Sequence, residues 1–296
     1  MTSIARQSLS ESAFPIAAAL LAQVSFTAGA SLAKTLFPVV GAEGATAIRL
    51  ALGALILAVL FRPWRIPLRE NWKILLAYGT SLAFMNLMFY MALQTIPLGI
   101  GLAIEFLGPL SVALFTSRRK TDFLWIGFAV AGLALLLPLR EHSASFDLRG
   151  GLFALGAGVC WALYILFGQR AGKEYGAAAV AAGMICAAVM VVPVGIAHAG
   201  MALFSWQLLP AAIGVGILSS AAPYALEMIA LRRLSSNSFG TLMSTEPAIG
   251  ALVGLALMGE MLGGGQWLGI ALVVVASAGV AMNARKPEDA PHIELP

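Results

Sequence analysis

Arg49, Glu105, Glu227 and Glu246 each interrupt a long apolar run. A charge at the centre of a membrane helix costs at least about 2.5 kcal/mol on insertion scales, so each such residue needs a partner or a use. Arg49 stands seven residues after Ala42, and Glu105 seven after Leu98. If both segments run the same way, the two side chains lie at a similar depth, roughly 10 Å in at 1.5 Å per residue. Two chemistries fit that placement. Arg49 and Glu105 form a structural ion pair, or together they hold a zwitterion. In the second case the planar guanidinium forks onto a carboxylate through charge-assisted bonds and the glutamate takes an ammonium.

Prolines sharpen the pattern. Pro109 lies four residues after Glu105 and removes the N–H that would bond its carbonyl, while Pro223 and Pro247 do the same for Ser219 and Met243. Gly101 and Gly108 strip bulk from the face that bears Glu105. Freed carbonyls are tolerated at membrane depth only where protein, water or a ligand satisfies them; the plainer alternative is a set of kinks that serve packing. Asn86, Tyr90, Tyr164, Tyr224 and Gln94 are neutral groups suited to a substrate hydroxyl or, more commonly, to gluing helices together. Glu227 is expected to reach the interface from the end of its segment, and Lys34 and Glu260, at segment ends, are expected in solvent. His142, His198 and His292 have no partner at useful spacing. Cys160 and Cys186 lack CxxC spacing and read as packing residues, so no disulfide, metal or cofactor is expected.

The elements that must position these groups follow from composition. The 296 residues are 60% hydrophobic and 11% charged, with mean hydropathy +0.89, against about 25% charged in ordinary globular chains. The expected fold is all-α and integral to the membrane, with ten spans near the length that crosses a bilayer. They are Phe14–Ala33, Ala42–Phe61, Trp72–Leu93, Leu98–Thr116, Phe123–Leu139, Gly150–Gln169, Ala177–Ala199, Trp206–Ile229, Asn237–Gly259 and Gly263–Ala284. With a cytoplasmic N-terminus, 14 Lys and Arg fall inside, and only Lys34, Arg140 and Arg149 fall outside. That bias puts both termini in the cytoplasm. The basic residues are scattered rather than striped, which argues against nucleic acid. Ala28-Gly29-Ala30 looks like a cleavage site, but removing the first span would leave the wrong parity for the charge pattern.

The second half repeats the first. Trp125-Ile126-Gly127 matches Trp267-Leu268-Gly269, Ala92-Leu93 matches Ala230-Leu231, Asn86 falls on Tyr224, and Glu105 falls on Glu246. Residues 1–145 and 146–286 form two five-helix units, followed by a polar cytoplasmic tail, 287–296, expected to be disordered. Five spans is an odd number, so the copies are inverted, the architecture of secondary transporters with a mid-membrane site. The chain has no HExxH, GxSxG or nucleotide-binding loop, which removes the usual enzyme classes and ATP-driven pumps. A channel is the remaining competitor, and buried glutamates on inverted repeats favour a carrier.

Particular stretches then resemble a known family. These are Gly29–Lys34, Thr46–Gly53, Pro97-Leu98-Gly99-Ile100, Glu105-Phe106-Leu107-Gly108-Pro109 and Ser117-Arg118-Arg119 in the first half. In the second half they are Gly156-Ala157-Gly158, Cys160-Trp161-Ala162, Gly168–Gly172, Pro223-Tyr224, Leu226–Leu231 and Phe239–Ser244. They are similar to the bacterial threonine and homoserine exporters, EamA-type members of the drug/metabolite transporter superfamily. The resemblance spans almost the whole chain and departs at the ends, around Ser143 and near Gly263-Gly264-Gly265. It implies efflux of small hydroxylated amino acids across the bacterial inner membrane. Exchange for protons is inferred from the buried carboxylates, because burial favours the protonated form and lets such a group carry a proton. Arg49, Glu105, Asn86, Tyr90, Tyr164 and Tyr224 are then the expected substrate contacts and Glu246 the expected proton carrier. The partners are an amino acid, protons and lipid, with a homodimer left open. Reporter fusions after Lys120 and Lys286 are expected to read cytoplasmic, and fusions near Ser143 periplasmic; the opposite pattern sinks the inverted-repeat reading.

Overall fold

The structure is a computed structural model that describes residues 2–65, 72–116, 122–136, 147–176, 178–223, 226 and 242–283. Tyr224, Glu227, Ser143 and the basic residues 118–120, 232–233 and 285–286 lie outside the described residues. The helices are α1 Thr2–Lys34, α2 Phe37–Phe61, α3 Trp72–Ala92, α4 Leu98–Glu105, α5 Leu107–Thr116, α6 Asp122–Leu136, α7 Leu148–Tyr175, α8 Ala178–Ala199, α9 Leu209–Gly216, α10 Glu246–Met258 and α11 Gly264–Asn283. There is no strand among the described residues. Phe14–Lys34, Phe37–Phe61, Trp72–Ala92, Leu148–Tyr175 and Ala178–Phe204 are long and apolar enough to cross a membrane by themselves. Shorter apolar helices make up the rest.

Several boundaries follow from local chemistry. Gly41, at φ 70°, adopts a conformation that a side chain disfavours and kinks the start of α2, so the straight part begins at Ala42. Phe106 breaks α4 from α5 ahead of Pro109, which then sits in the first turn of α5, where a missing N–H is harmless. Pro247 likewise occupies the first turn of α10. After α9 the chain makes one π turn, Ile217–Ala221, in which the N–H of Ala222 reaches back to the carbonyl of Ile217.

The helices pack in antiparallel pairs through small residues. In α2 against α8, Gly44 meets Ala199 and Gly195 meets Ala47. In α3 against α7, Gly168 meets Tyr78, Gly156 meets Met88 and Gly150 meets Thr95. In α1 against α9 and its π turn, Gly214 meets Leu32 and Gly29 meets Ser219. In α4 against α10, Gly99 meets Ala251 and Gly250 meets Leu102, and in α6 against α11, Gly132 meets Gly269 and Gly279 meets Trp125. Lipid supplies no hydrophobic drive between helices, so this close backbone approach supplies dispersion contact instead. The outward faces carry the apolar side chains that a bilayer accepts, among them Leu55, Val59, Leu152, Val159, Val189 and Leu252.

The tightest approach is α5 on α7, where a β-carbon on Gly108 would lie 1.9 Å from the carbonyl oxygen of Gly158. Gly108→Ala is therefore expected to lower stability by about 1–3 kcal/mol, read as a lower midpoint of thermal unfolding in detergent. Gly127, with nothing within 4 Å of its added carbon, should accept alanine without loss. Equal midpoints for the two variants would contradict this packing.

Candidate functional site

Arg49 is 2% exposed, and three helices besides its own meet its head group. Its Nε donates to Ser219 Oγ at 3.0 Å and one terminal nitrogen donates to the Ser219 carbonyl at 2.9 Å. The other terminal nitrogen donates to Asn86 Oδ1. The guanidinium lies 5.1 Å from the ring centre of Phe26 on α1 and 5.5 Å from that of Tyr90 on α3. Both rings present their negative faces to the cation.

Each acceptor is oriented by its own helix. The Asn86 amide donates to the Leu82 carbonyl at 2.8 Å, one turn back, which turns Oδ1 toward Arg49. The Ser219 hydroxyl donates to the Val215 carbonyl at 2.6 Å and so offers its lone pairs to Nε. The π turn and Pro223 together free two successive carbonyls. The N–H of Ala222 bonds Ile217, passing over Leu218, and Pro223 has no N–H for Leu218 or Ser219. The Ser25 hydroxyl of α1 takes the Leu218 carbonyl at 2.8 Å, and Arg49 takes that of Ser219. Gly29 and Gly53 allow the turn this close, since β-carbons there would fall 2.6 Å from the Ser219 nitrogen and 2.9 Å from the Ser220 side chain.

These bonds use three of the five guanidinium N–H groups; among the described residues the one left on each terminal nitrogen has no acceptor at full hydrogen-bond geometry, the Tyr90 hydroxyl lying beside them. No carboxylate lies within ion-pair distance of Arg49 among the described residues. The direct Arg49–Glu105 pair, one of the two chemistries that the spacing allowed, is therefore not formed. Tyr90 Oη is buried beside Arg49 and Ser219 and makes no well-formed hydrogen bond.

Glu105, 4% exposed, closes α4, and Glu246, 7% exposed, opens α10. The antiparallel register, with 98 beside 254, 99 beside 251 and 102 beside 250, carries the two glutamates toward each other. Glu105 lies within electrostatic reach of both Glu246 and Arg49. Its freed carbonyl is not open to a ligand from the α7 side, because Gly158 packs there, where an added carbon would lie 2.7 Å away. The start of α10 is pinned by Gln23 of α1, whose amide donates to the Leu242 carbonyl at 2.8 Å and whose Oε1 lies 3.0 Å from the Thr245 hydroxyl.

Arg49, Asn86 and Tyr90 thus gather at one place, with Glu105 and Glu246 beside it. Tyr164 stands apart: its ring stacks on Tyr78 at 4.9 Å and their hydroxyls are 3.2 Å apart. Tyr78 is eight residues before Asn86, about 12 Å along the helix. Two expectations of isolation are corrected. Lys34 and Glu260 pair at 2.5 Å with side chains only 14% exposed, and His198 lies 3.6 Å from Glu43 across the α2/α8 seam. Ser219, Phe26 and Gln23 were missed as side chains of the site. A signal existed for Gln23, which with Thr27 and Ser31 forms a polar stripe at four-residue spacing in the mainly apolar second half of α1, and all three are buried.

Residues 148–282 match the EamA-like transporter family. The chain is 51% identical over 282 residues to the threonine/homoserine exporter RhtA of Escherichia coli strain K12, covering 95% of this chain and 96% of that one. The same figures hold for RhtA of Salmonella typhimurium strain LT2. An uncharacterized transporter of Bacillus subtilis, YwfM, is 27% identical over 74% of this chain and 76% of its own. A solved crystal structure at 19% identity superposes with a TM-score of 0.63 over 90% of this chain and 96% of its own, a likeness of fold alone.

Proposed function

Because the chain belongs to the EamA-like transporter family and its apolar helices make it a multi-pass membrane protein, we propose that it exports small amino acids, chiefly threonine and homoserine, across the bacterial inner membrane in exchange for protons. The observation that carries this reading is Arg49, a buried cation held by neutral acceptors and, among the described residues, with an N–H on each terminal nitrogen not used by these three bonds. Such a group is stabilised by an incoming carboxylate, whereas a cation already paired would have to give up its partner first. Identity of 51% over 95% of the chain to proteins named as threonine/homoserine exporters supports the substrate.

In this reading the spare guanidinium edge takes the carboxylate, Glu105 takes the ammonium, and Asn86, Tyr90 and Tyr224 serve the backbone and hydroxyl end of the substrate. Tyr164, beside Tyr78, lines the approach from the cytoplasm. Glu246 carries the proton. Placing the two glutamates within one electrostatic neighbourhood makes the exchange thermodynamically sensible, since two carboxylates in low dielectric resist being charged together. An ammonium or a proton relieves that repulsion, and either one leaving favours the other's arrival.

Ten spans in two inverted repeats are supported by the pairing of the helices. Exchanging the halves turns α3 against α7 into α1 against α9, and returns α2 with α8, α4 with α10 and α6 with α11 to themselves. Two-fold exchange of this kind puts Glu105 and Glu246 about the pseudo-axis, where alternating access rocks one repeat against the other. Export of other amino acids or toxic analogues is the second reading. Efflux of labelled threonine, homoserine and unrelated metabolites from cells overproducing the chain separates the two, and flux that neither saturates nor couples to a gradient would indicate a channel.

Arg49→Ala is expected to abolish efflux at normal membrane abundance, and Arg49→Lys to restore only part, since an ammonium keeps the charge and loses the fork. Normal transport by the alanine variant excludes the carboxylate role. For the glutamates, uphill export and downhill exchange are compared in vesicles. Glu246→Gln should lose uphill export yet keep exchange, because an amide imitates the protonated acid, whereas Glu105→Gln should lose both through weakened binding. Retained exchange in the Glu105 variant, or lost exchange in the Glu246 variant, overturns the division of roles.

A further inference from the structure

At the end of the bundle bearing Lys34, a cavity of about 580 Å³ opens among Phe37, Leu93, Gln94, Met258, Lys34 and Glu260. Glu260 is bound from two sides there. Its Oε1 meets Lys34 Nζ at 2.5 Å, and its Oε2 accepts the N–H of Leu98, the first residue of α4, at 2.8 Å. It sits just beyond α10, its own N–H bonding the Gly254 carbonyl at 3.1 Å, and any side chain at 254 would collide with it, since an added carbon falls 2.4 Å from Oε2. One carboxylate therefore ties the ends of α1, α4 and α10.

These are the helices that carry the interior groups. α4 ends at Glu105, α10 begins at Glu246, and α1 contributes Phe26 and Gln23. An anion at the first N–H of α4 also complements the dipole of that short helix. Below the tie, Leu102 and Gly250 close the α4/α10 seam against Thr27 of α1, so the cavity stops short of the glutamates while the three ends stay joined.

We propose that Glu260 is a positioning residue for transport: by holding Lys34 and the Leu98 N–H together it keeps the outer mouth shut over the Arg49 and glutamate site, and release of this tie admits the outer cavity to that site. The proposal rests on the exporter reading for its purpose and on the cytoplasmic-termini orientation for the word outer. A zwitterion arriving from within is suited to loosen the tie, because its own carboxylate and ammonium can pair with Lys34 and Glu260 in turn as it leaves.

The test uses the full chain in cells, with Cys160→Ser and Cys186→Ser removing native thiols and Leu102→Cys as reporter, labelled from outside by a membrane-impermeant maleimide. Glu260→Gln keeps an acceptor for Leu98 but loses the ion pair, and Lys34→Gln loses the pair alone. Each is expected to raise the labelling rate about two- to fivefold, the range that follows from a partly exposed ion pair. Each should also raise inward leak of external labelled threonine while leaving the inner-face KM unchanged. Glu260→Asp, which keeps the charge, should recover part of the slow labelling. Unchanged labelling in both Gln variants at normal abundance overturns the proposal, as does enhancement only from the cytoplasmic face. The thiol readout does not depend on which substrate is carried, so failure of the threonine assignment would show separately as absent flux with altered labelling.

Discussion

The arrangement depends on how a guanidinium can remain buried when, among the described residues, no carboxylate is in ion-pair contact with it. Hydrogen bonds to a charged group contribute about 1.5–3 kcal/mol each when well made, and Arg49 finds three such acceptors: a serine hydroxyl, an amide oxygen and a main-chain carbonyl. The carbonyl is available because Pro223, four residues on, has no N–H for it, at a turn whose backbone also departs from α geometry. The same departure offers the Leu218 carbonyl to Ser25. One irregular turn thus binds α1 and α2 at once, and two aromatic rings complete the neutral cradle. A carboxylate partner would have made Arg49 more stable and less useful, since a satisfied ion pair has little left to give a ligand.

Around this cluster the packing is permissive by design of side-chain size. Gly29 and Gly53 bring the π turn against α1 and α2, Gly99 and Gly250 bring α4 against α10, and Gly158 covers the Glu105 carbonyl. The contacts are backbone-close and sequence-poor, so they fix the distance between helices while leaving few side chains that must unlock when helices slide. Polar ties do the fastening instead, at Gln23 with Leu242 and Thr245 and at Lys34 with Glu260.

Much of this was legible in the chain. Arg49 and Glu105 announce themselves as charges in apolar runs, the start of α4 at Leu98 follows from Pro97, and the freeing of the Ser219 carbonyl follows from Pro223 alone. What filled that carbonyl did not follow, because the donor is 170 residues away in sequence. The π turn was equally invisible, since no composition marks an extra residue in a helix. Lys34 and Glu260 looked solvated because each stands at a segment end, and only the meeting of α1 with the α10 terminus makes them partners. Pro109 and Pro247 fall in the first turns of α5 and α10, so the helix is interrupted beside each glutamate rather than continuous through it.

The π turn has a geometric consequence for the surface. Before it, Leu209, Ile213 and Ile217 follow one another at four-residue spacing on the exposed side. An α-helix advances about 100° per residue, and a turn that absorbs one additional residue shifts the phase of everything after it by about that angle. Ser219 and Ser220, within this turn, are both wholly enclosed. Deleting a single residue from this turn would restore an unbroken helix and rotate its downstream part relative to the lipid. The fold at this point is therefore far less tolerant of length changes than of substitutions, and a reading frame that preserves the residue count of residues 209–223 preserves the orientation of the serines that face Arg49 and Gly53.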